Sequence, residues 1–370
     1  MHQSLYNKYR PKTFGEIIGQ EHISKTLFNQ VRSGKISHAY LFSGSRGTGK
    51  TSTARIFAKA INCENPQADS LPCCECATCK ALSQPTNLDI LEIDAASNNR
   101  VDEIRDLREK IKFLPTSGKY KVYIIDEVHM LTDSAFNALL KTLEEPPAHV
   151  VFILGTTEIH KLPATILSRC TKFDFRLISQ EELARHLKNI FAKENIKYDE
   201  KSVDAIVSMA EGSVRDMLSI ADSVISFTDG DLTFEKTSKI LGVSETKQLV
   251  DFTSTIILKD VGKAFEEIDN VVKSGKNISV FAKECTVHFR NLLVAKTSAL
   301  AKQILNLPEE DYNLLLEQAQ SVSVENLMFY MKTFSAIEAE LKYALSPRTL
   351  VEVATVKCIE GLEELKKNEI

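Results

Sequence analysis

Residues 39–51 read AYLFSGSRGTGKT, and this stretch decides the fold. The apolar run Ala39–Ser43 reads as a short strand that ends on a glycine, and residues Thr51–Ile61 read as a helix. Between them, Gly44, Gly49, Lys50 and Thr51 fill every fixed position of the G-x-x-x-x-G-K-[ST] pattern. Glycines let successive backbone N–H groups turn inward around a phosphate at the positive end of the following helix. Gly44, Ser45, Arg46, Gly47, Thr48, Gly49, Lys50, Thr51 and Ser52 are therefore the expected nucleotide cradle. Lys50 is placed for the β- and γ-phosphates and the Thr51 hydroxyl for Mg²⁺.

Further strands are expected around this loop. Asp89–Ile93, Tyr120–Ile125 and Val150–Leu154 are apolar runs separated by helical segments at Val101–Phe113 and Ser134–Leu143. Apolar strands alternating with helices predict an α/β fold with a parallel sheet covered on both faces. The third strand runs directly into Asp126-Glu127. Ligands of open α/β sheets bind at that end of the strands. Asp126 is thus the expected Mg²⁺ partner, and Glu127 is placed to take a proton from an attacking water. The reaction class is nucleotide hydrolysis.

After about Asp174 the pattern turns helical. Ser179-Gln180-Glu181-Glu182 resembles a capping box. Helices are expected at Ser179–Glu194, Lys201–Glu211, Val214–Ser226 and Phe234–Leu241. From Val243 onward only three glycines and two prolines interrupt helical spacing, and Leu327, Met331, Phe334, Ile337 and Leu341 form a stripe read as core. The division expected is 1–178 (α/β, with a cysteine-bearing insert at 63–79), 179–242 (small helical) and 243–370 (all helical).

Composition agrees with a soluble globular chain: 43% hydrophobic and 26% charged residues over 370. No apolar run is long enough to span a bilayer and the N-terminus lacks a signal-peptide core, so a cytoplasmic location is expected. Net charge is −4, but unevenly spread. Residues 1–180 hold 23 basic against 19 acidic side chains, and residues 181–370 hold 23 against 31. A polyanion contact is expected in the first half.

The string Asp126-Glu127-Val128-His129-Met130-Leu131, followed by Phe136-Asn137-Ala138-Leu139-Leu140-Lys141-Thr142-Leu143-Glu144-Glu145-Pro146-Pro147, resembles the clamp-loader branch of the AAA+ ATPases. Tyr9-Arg10-Pro11-Lys12-Thr13-Phe14 adds to the likeness, which is dense over residues 1 to about 245. The resemblance implies an α/β ATPase domain, a helical lid and a helical oligomerisation collar. It implies sensor 1 at Thr157, an arginine finger acting on a neighbouring subunit at Arg169, and sensor 2 at Arg215. It also implies an adenine cradle around Tyr9, Arg10, Pro11 and Ile18. The partners implied are copies of the chain, delta and delta-prime subunits, a ring-shaped sliding clamp and primer–template DNA.

Five of eight cysteines fall within 17 residues, which points to a metal rather than to disulfides. Cys63, Cys73, Cys76 and Cys79 offer four thiolates, suited to structural Zn²⁺, with an Fe–S cluster as the weaker alternative. Cys73 is preferred over Cys74 because it keeps the family spacing, and a swap of the two stays open. For DNA, the resemblance points to Arg100, Arg105 and Lys141. Interleaved Glu103, Asp106 and Glu109 allow a solvated ion-paired face instead. The readings that compete with a clamp-loader motor are a stand-alone remodelling or branch-migration motor, a non-hydrolysing scaffold subunit and a small-molecule kinase.

Overall fold

The structure is a computed structural model that describes residues 4–67, 69–84, 86–97, 109–228, 230–241, 246–305, 307 and 309–365. The chain forms two compact units, 1–231 and 232–370.

The first unit is built on a five-stranded parallel sheet: β1 (Ala39–Gly44), β2 (Ile90–Asp94), β3 (Lys121–Asp126), β4 (Val150–Thr156) and β5 (Thr171–Phe175). The order is β2-β3-β4-β1-β5, and every pairing is parallel. Side chains along a strand alternate between faces. Tyr40, Phe42, Ile124 and Ile153 enter one buried cluster, while Leu41, Tyr123, Ile125, Phe152 and Leu154 enter another. Both faces are covered, which is why the central strands read as unbroken apolar runs. On the first face the Tyr40 and Phe57 rings meet edge to face at 4.7 Å, a contact type that contributes about 0.5–1.5 kcal/mol beyond its area.

The helices of the core are α1 (Leu5–Lys8), α2 (Glu21–Ser33), α3 (Lys50–Ile61), α4 (Ala77–Ala81), α5 (Asp133–Glu144) and α6 (Ala164–Leu167). The small helical part follows as α7 (Gln180–Glu194), α8 (Glu200–Met209) and α9 (Val214–Thr228). Ser179 caps α7 by accepting the Glu182 N–H at 3.3 Å and binding the Glu182 carboxylate at 3.0 Å. Leu183, Leu187, Ile206, Met217 and Ala221 are all buried on the facing sides of these helices. An N-terminal segment ties the parts of this unit together. The Leu5 N–H donates to Asp222 of α9 at 2.8 Å, and the Phe14 N–H donates to the Leu71 carbonyl at 2.9 Å.

Several elements of this unit lie outside the sequence expectations, among them β5, α2 and the short helices α1, α4 and α6. β5 was not anticipated, because its alternating inward Phe173 and Phe175 and outward Lys172 and Asp174 mark a half-buried edge, not an apolar run. α2 was not anticipated either, although Ile23, Leu27 and Val31 bury one face of it. The helix expected over 101–113 falls largely outside the described residues.

The second unit is helical. Its helices are α10 (Phe234–Leu241), α11 (Thr246–Ile257), α12 (Val261–Lys273), α13 (Ile278–Thr297), α14 (Ala301–Leu305), α15 (Glu309–Gln320), α16 (Val324–Leu341) and α17 (Pro347–Leu365). α13 runs through the middle, burying Phe281, Cys285, Phe289 and Leu292. The α16 stripe packs on the same core, with Leu327, Phe334 and Leu341 buried and Met331 and Ile337 half-buried. One polar network crosses this core. His288 Nε2 meets Gln318 Oε1 at 2.7 Å, and Gln318 Nε2 donates to the Val250 carbonyl (2.7 Å) and to Ser254 Oγ (2.9 Å). No helix among the described residues is long and apolar enough to cross a membrane.

Candidate nucleotide-binding site

The loop between β1 and α3 opens at the carboxyl end of the sheet, into a cavity of about 480 Å³. Its geometry depends on glycines with left-handed backbone: Gly44 (φ 138°), Gly47 (φ 76°) and Gly49 (φ 101°). At Gly44 a Cβ would stand 2.3 Å from the Phe175 carbonyl oxygen, so only glycine lets the loop leave β1 beside β5. Lys50 is buried, and its Nζ donates to the carbonyls of Gly44 (2.7 Å) and Ser45 (2.8 Å). Burial pulls its pKa down, and the carboxylates of Glu127 and Asp126 oppose that pull.

Thr51 Oγ1 donates to Asp126 Oδ2 at 2.6 Å. A hydroxyl and a carboxylate are thereby joined across the mouth of β1 and β3, the hard oxygen donor set that Mg²⁺ takes. Gly155 on β4 makes room for that carboxylate, since a Cβ there would lie 2.7 Å from Asp126 Oδ1. Glu127 follows in left-handed backbone (φ 47°). Its Oε2 accepts from the Thr157 N–H at 3.2 Å and from Thr157 Oγ1 at 2.9 Å. His129 lies beneath, with Nδ1 3.0 Å from Thr156 Oγ1 and 3.4 Å from Glu127 Oε2.

The small helical part closes the cavity. Ser213 caps α9 by accepting the Asp216 N–H at 3.2 Å, and it presses on the loop. A Cβ at Gly47 would stand 1.9 Å from Ser213 Oγ and 3.3 Å from Arg215 Cβ. Arg215, Val214, Leu218 and His186 line this side. Burial lowers the His186 pKa, and nearby Lys193 adds to the effect. The N-terminal segment supplies the remaining wall through Tyr6, Tyr9, Arg10, Pro11 and Ile18. Arg10 Nε donates to Ser52 Oγ at 3.2 Å. The Tyr9 hydroxyl bonds Glu194 of α7, and burial followed by that bond raises its pKa to about 12.

Of the residues expected from sequence, Tyr9, Arg10, Pro11, Ile18, Arg46, Gly47, Thr48, Gly49, Lys50, Thr51, Ser52, Asp126, Glu127 and Arg215 line this one cavity. Gly44 and Ser45 reach it through Lys50, and Thr157 through Glu127. Arg169 is not among the lining residues. Its guanidinium pairs with Glu144 at 2.9 Å and with the Thr165 carbonyl at 2.8 Å. Lys141 is exposed on α5. Arg100 and Arg105 fall outside the described residues. Tyr6 and His129 were missed as site residues. His129 stood inside a quoted motif, whereas no local pattern marked Tyr6.

A second cluster lies in the insert after α3. The Sγ atoms of Cys63, Cys73, Cys76 and Cys79 all fall within 4.8 Å of one another, and Cys73 and Cys79 stand 3.9 Å apart. Zn–S bonds of about 2.3 Å in a tetrahedron place sulfurs about 3.8 Å apart, so the four thiols fit that metal. The N–H groups of Cys76 and Cys79 point at Cys73 Sγ (3.5 Å) and Cys76 Sγ (3.3 Å). Burial pushes the Cys73 thiol up, but the Cys76 and Glu75 N–H groups and neighbouring thiols outweigh it and bring it to about 7. Cys74 turns away in left-handed backbone (φ 60°), exposed, with Sγ 3.4 Å from the Pro72 carbonyl.

A parallel sheet, a phosphate loop, an acidic strand end and a helical lid define a P-loop ATPase fold of the AAA+ type. A RuvB variant from Thermotoga maritima shares that fold at TM-score 0.50, with 18% identity over 68% of this chain and 80% of that one. Family descriptions match in sequence: "DNA polymerase III, delta subunit" over residues 19–179, "DNA polymerase III clamp loader subunit, ATPase lid domain" over 182–230, and "DNA polymerase III subunits gamma and tau domain III" over 232–369. The chain is 36% identical to DNA polymerase III subunit gamma of Buchnera aphidicola, covering 98% of this chain and 99% of that protein. It therefore belongs to the DNA polymerase III gamma/tau subunit family. It is 44% identical to the tau subunit of Bacillus subtilis over 96% of its length, but spans 63% of that relative. It spans 51% of the Haemophilus influenzae tau/gamma subunit.

Proposed function

We propose that the chain is the ATP-hydrolysing motor subunit of a bacterial clamp loader, working in the cytoplasm on replicating DNA. One observation carries this: Lys50, Thr51, Asp126, Glu127 and Arg215 converge on a single cavity. Lys50 would leave the Gly44 and Ser45 carbonyls for the β- and γ-phosphates of ATP. Thr51 and Asp126 would hold Mg²⁺, which neutralises charge on the phosphate oxygens. Glu127, oriented by Thr157, takes a proton from a water whose oxygen attacks the γ-phosphorus. The bond from that phosphorus to the β–γ bridging oxygen breaks, leaving ADP and phosphate. Arg215 steadies the γ-phosphate from the lid.

Arg169, outside the cavity, would serve a neighbouring copy's site, and such a finger contributes about 10³- to 10⁵-fold in rate. The working division is an ATPase domain at 1–178, a lid at 179–242 and an oligomerisation collar at 243–370. Cys63, Cys73, Cys76 and Cys79 hold a structural zinc. ATP binding would close subunits into an assembly with delta and delta-prime that opens a sliding clamp. Hydrolysis on primer–template DNA, contacted in the pooled ring by groups such as Lys141, releases the clamp.

The test is turnover of ATP by the chain assembled with delta, delta-prime, clamp and primed DNA. Lys50→Ala is expected to abolish DNA-stimulated hydrolysis. Turnover persisting in that variant would refute the phosphate-loop assignment.

A further inference from the structure

Arg215 rests on an aromatic ring. Its guanidinium carbon stands 5.0 Å from the centroid of the Tyr6 ring, and the Arg10 guanidinium carbon stands 5.7 Å from the same centroid. Tyr6 is held against the lid by its neighbour, since Leu5 is buried and its N–H donates to Asp222 on the helix that carries Arg215. Tyr6 and Arg215 both line the nucleotide cavity. Among the described residues no carboxylate forms an ion pair with Arg215.

The choice of partner matters chemically. A carboxylate would fix a guanidinium but neutralise it and compete with a phosphate for the same donors. A ring face fixes the planar group by stacking and leaves its charge and its five N–H donors available. Two guanidiniums gathered on one ring also repel each other, and an anion entering between them relieves that repulsion.

We propose that Tyr6 is a positioning residue for nucleoside triphosphate binding. Its ring holds Arg215 pre-oriented at the phosphate end of the cavity. This rests on the reading of Arg215 as a phosphate contact.

The test measures affinity of the full chain for a non-hydrolysable ATP analogue, with kcat and KM for ATP alongside. Tyr6→Leu keeps the bulk and loses the π face, and is expected to weaken binding roughly 2- to 30-fold. Tyr6→Phe is expected to rescue it to within about twofold. In an Arg215→Ala background, Tyr6→Leu is expected to cost markedly less, the remainder being what the ring does for Arg10. The chain contains no tryptophan. Tyr6→Trp therefore provides a single indole whose emission is expected to change on analogue binding, and to stop responding in the Arg215→Ala background. Unchanged affinity in Tyr6→Leu, or an equal loss in both backgrounds, would overturn the proposal while leaving Arg215 as a phosphate contact. Wild-type affinity in Arg215→Ala alone would overturn the reading of Arg215 and the proposal with it.

Discussion

His288 should make the helical unit acid-sensitive by an amount the structure lets one work out. The imidazole is 3% exposed at the centre of α13 and donates through Nε2–H to Gln318. Burial lowers its pKa from the ordinary 6.5 to about 4, against the opposing pull of the Gln318 bond. Above pH 6.5 both folded and unfolded chains hold the neutral ring, so nothing is lost. Between 6.5 and about 4 the unfolded chain takes up a proton that the folded chain refuses, and stability falls as pH falls. The displacement corresponds to about 3 kcal/mol in total, of which about 2 kcal/mol is lost between about pH 7 and about pH 5.

The perturbation is that pH change, applied to the chain and to His288→Gln, which gains no proton. The assay is hydrogen exchange of amides in Ile278–Thr297, corrected for intrinsic rate, which isolates the second unit from the first. The native chain should lose about 2 kcal/mol more protection than the variant over that interval. Other titrating groups cancel in the difference. Equal pH dependence in the two proteins, or an imidazole resonance titrating near the ordinary value, would refute the reasoning.

Three further outcomes are expected. Gly47→Ala combines a left-handed φ with a Cβ on Ser213 Oγ, so the lid cannot rest on the loop; nucleotide affinity should fall about tenfold or more with the fold intact, as calorimetry and circular dichroism would show. Asp89→Ala removes a buried carboxylate that accepts from the N–H groups of Thr116 (2.7 Å), Ser117 (2.6 Å) and Gly118 (3.1 Å). Stability to urea should drop by about 2–4 kcal/mol. These bonds outweigh burial and hold the Asp89 pKa below 3.8, so its contribution should be present above that pH and vanish only as pH falls through the lower folded value. Elemental analysis should find about one zinc per chain, lost in Cys79→Ser together with protection of the 63–79 segment; a metal-free chain with full protection there would contradict the assignment.

What the sequence revealed follows from where the determinants lie. β1, its loop and α3 are contiguous, so glycines, lysine and apolar run all declare themselves within 23 residues. The Asp126-Glu127 pair was legible for the same reason, lying at the end of an unbroken buried strand. Edge strand β5 was not, because Lys172 and Asp174 face outward and leave two phenylalanines as its whole signal. In sequence Asp89 reads as the start of a strand, yet it is the carboxylate that pins the loop at 116–118. Tyr6 acquires meaning from a residue 209 positions further on, and no spacing rule spans that distance. Cys73 and Cys74 differ by one position and have equal chemistry. Only the backbone, which turns Cys74 to solvent and Cys73 to the other thiols, tells them apart.

That outward turn has a practical side. Cys74 is the one exposed cysteine of eight. Its sulfur lies 4.0 Å from the Lys12 carbonyl, on the segment that continues into the nucleotide cavity. A maleimide dye, with the four neighbouring sulfurs held by metal, would couple first at this exposed sulfur, ahead of half-buried Cys170 and the buried Cys285 and Cys358. The protein thus carries its own attachment site for a fluorescent reporter beside the path between cysteine insert and nucleotide pocket.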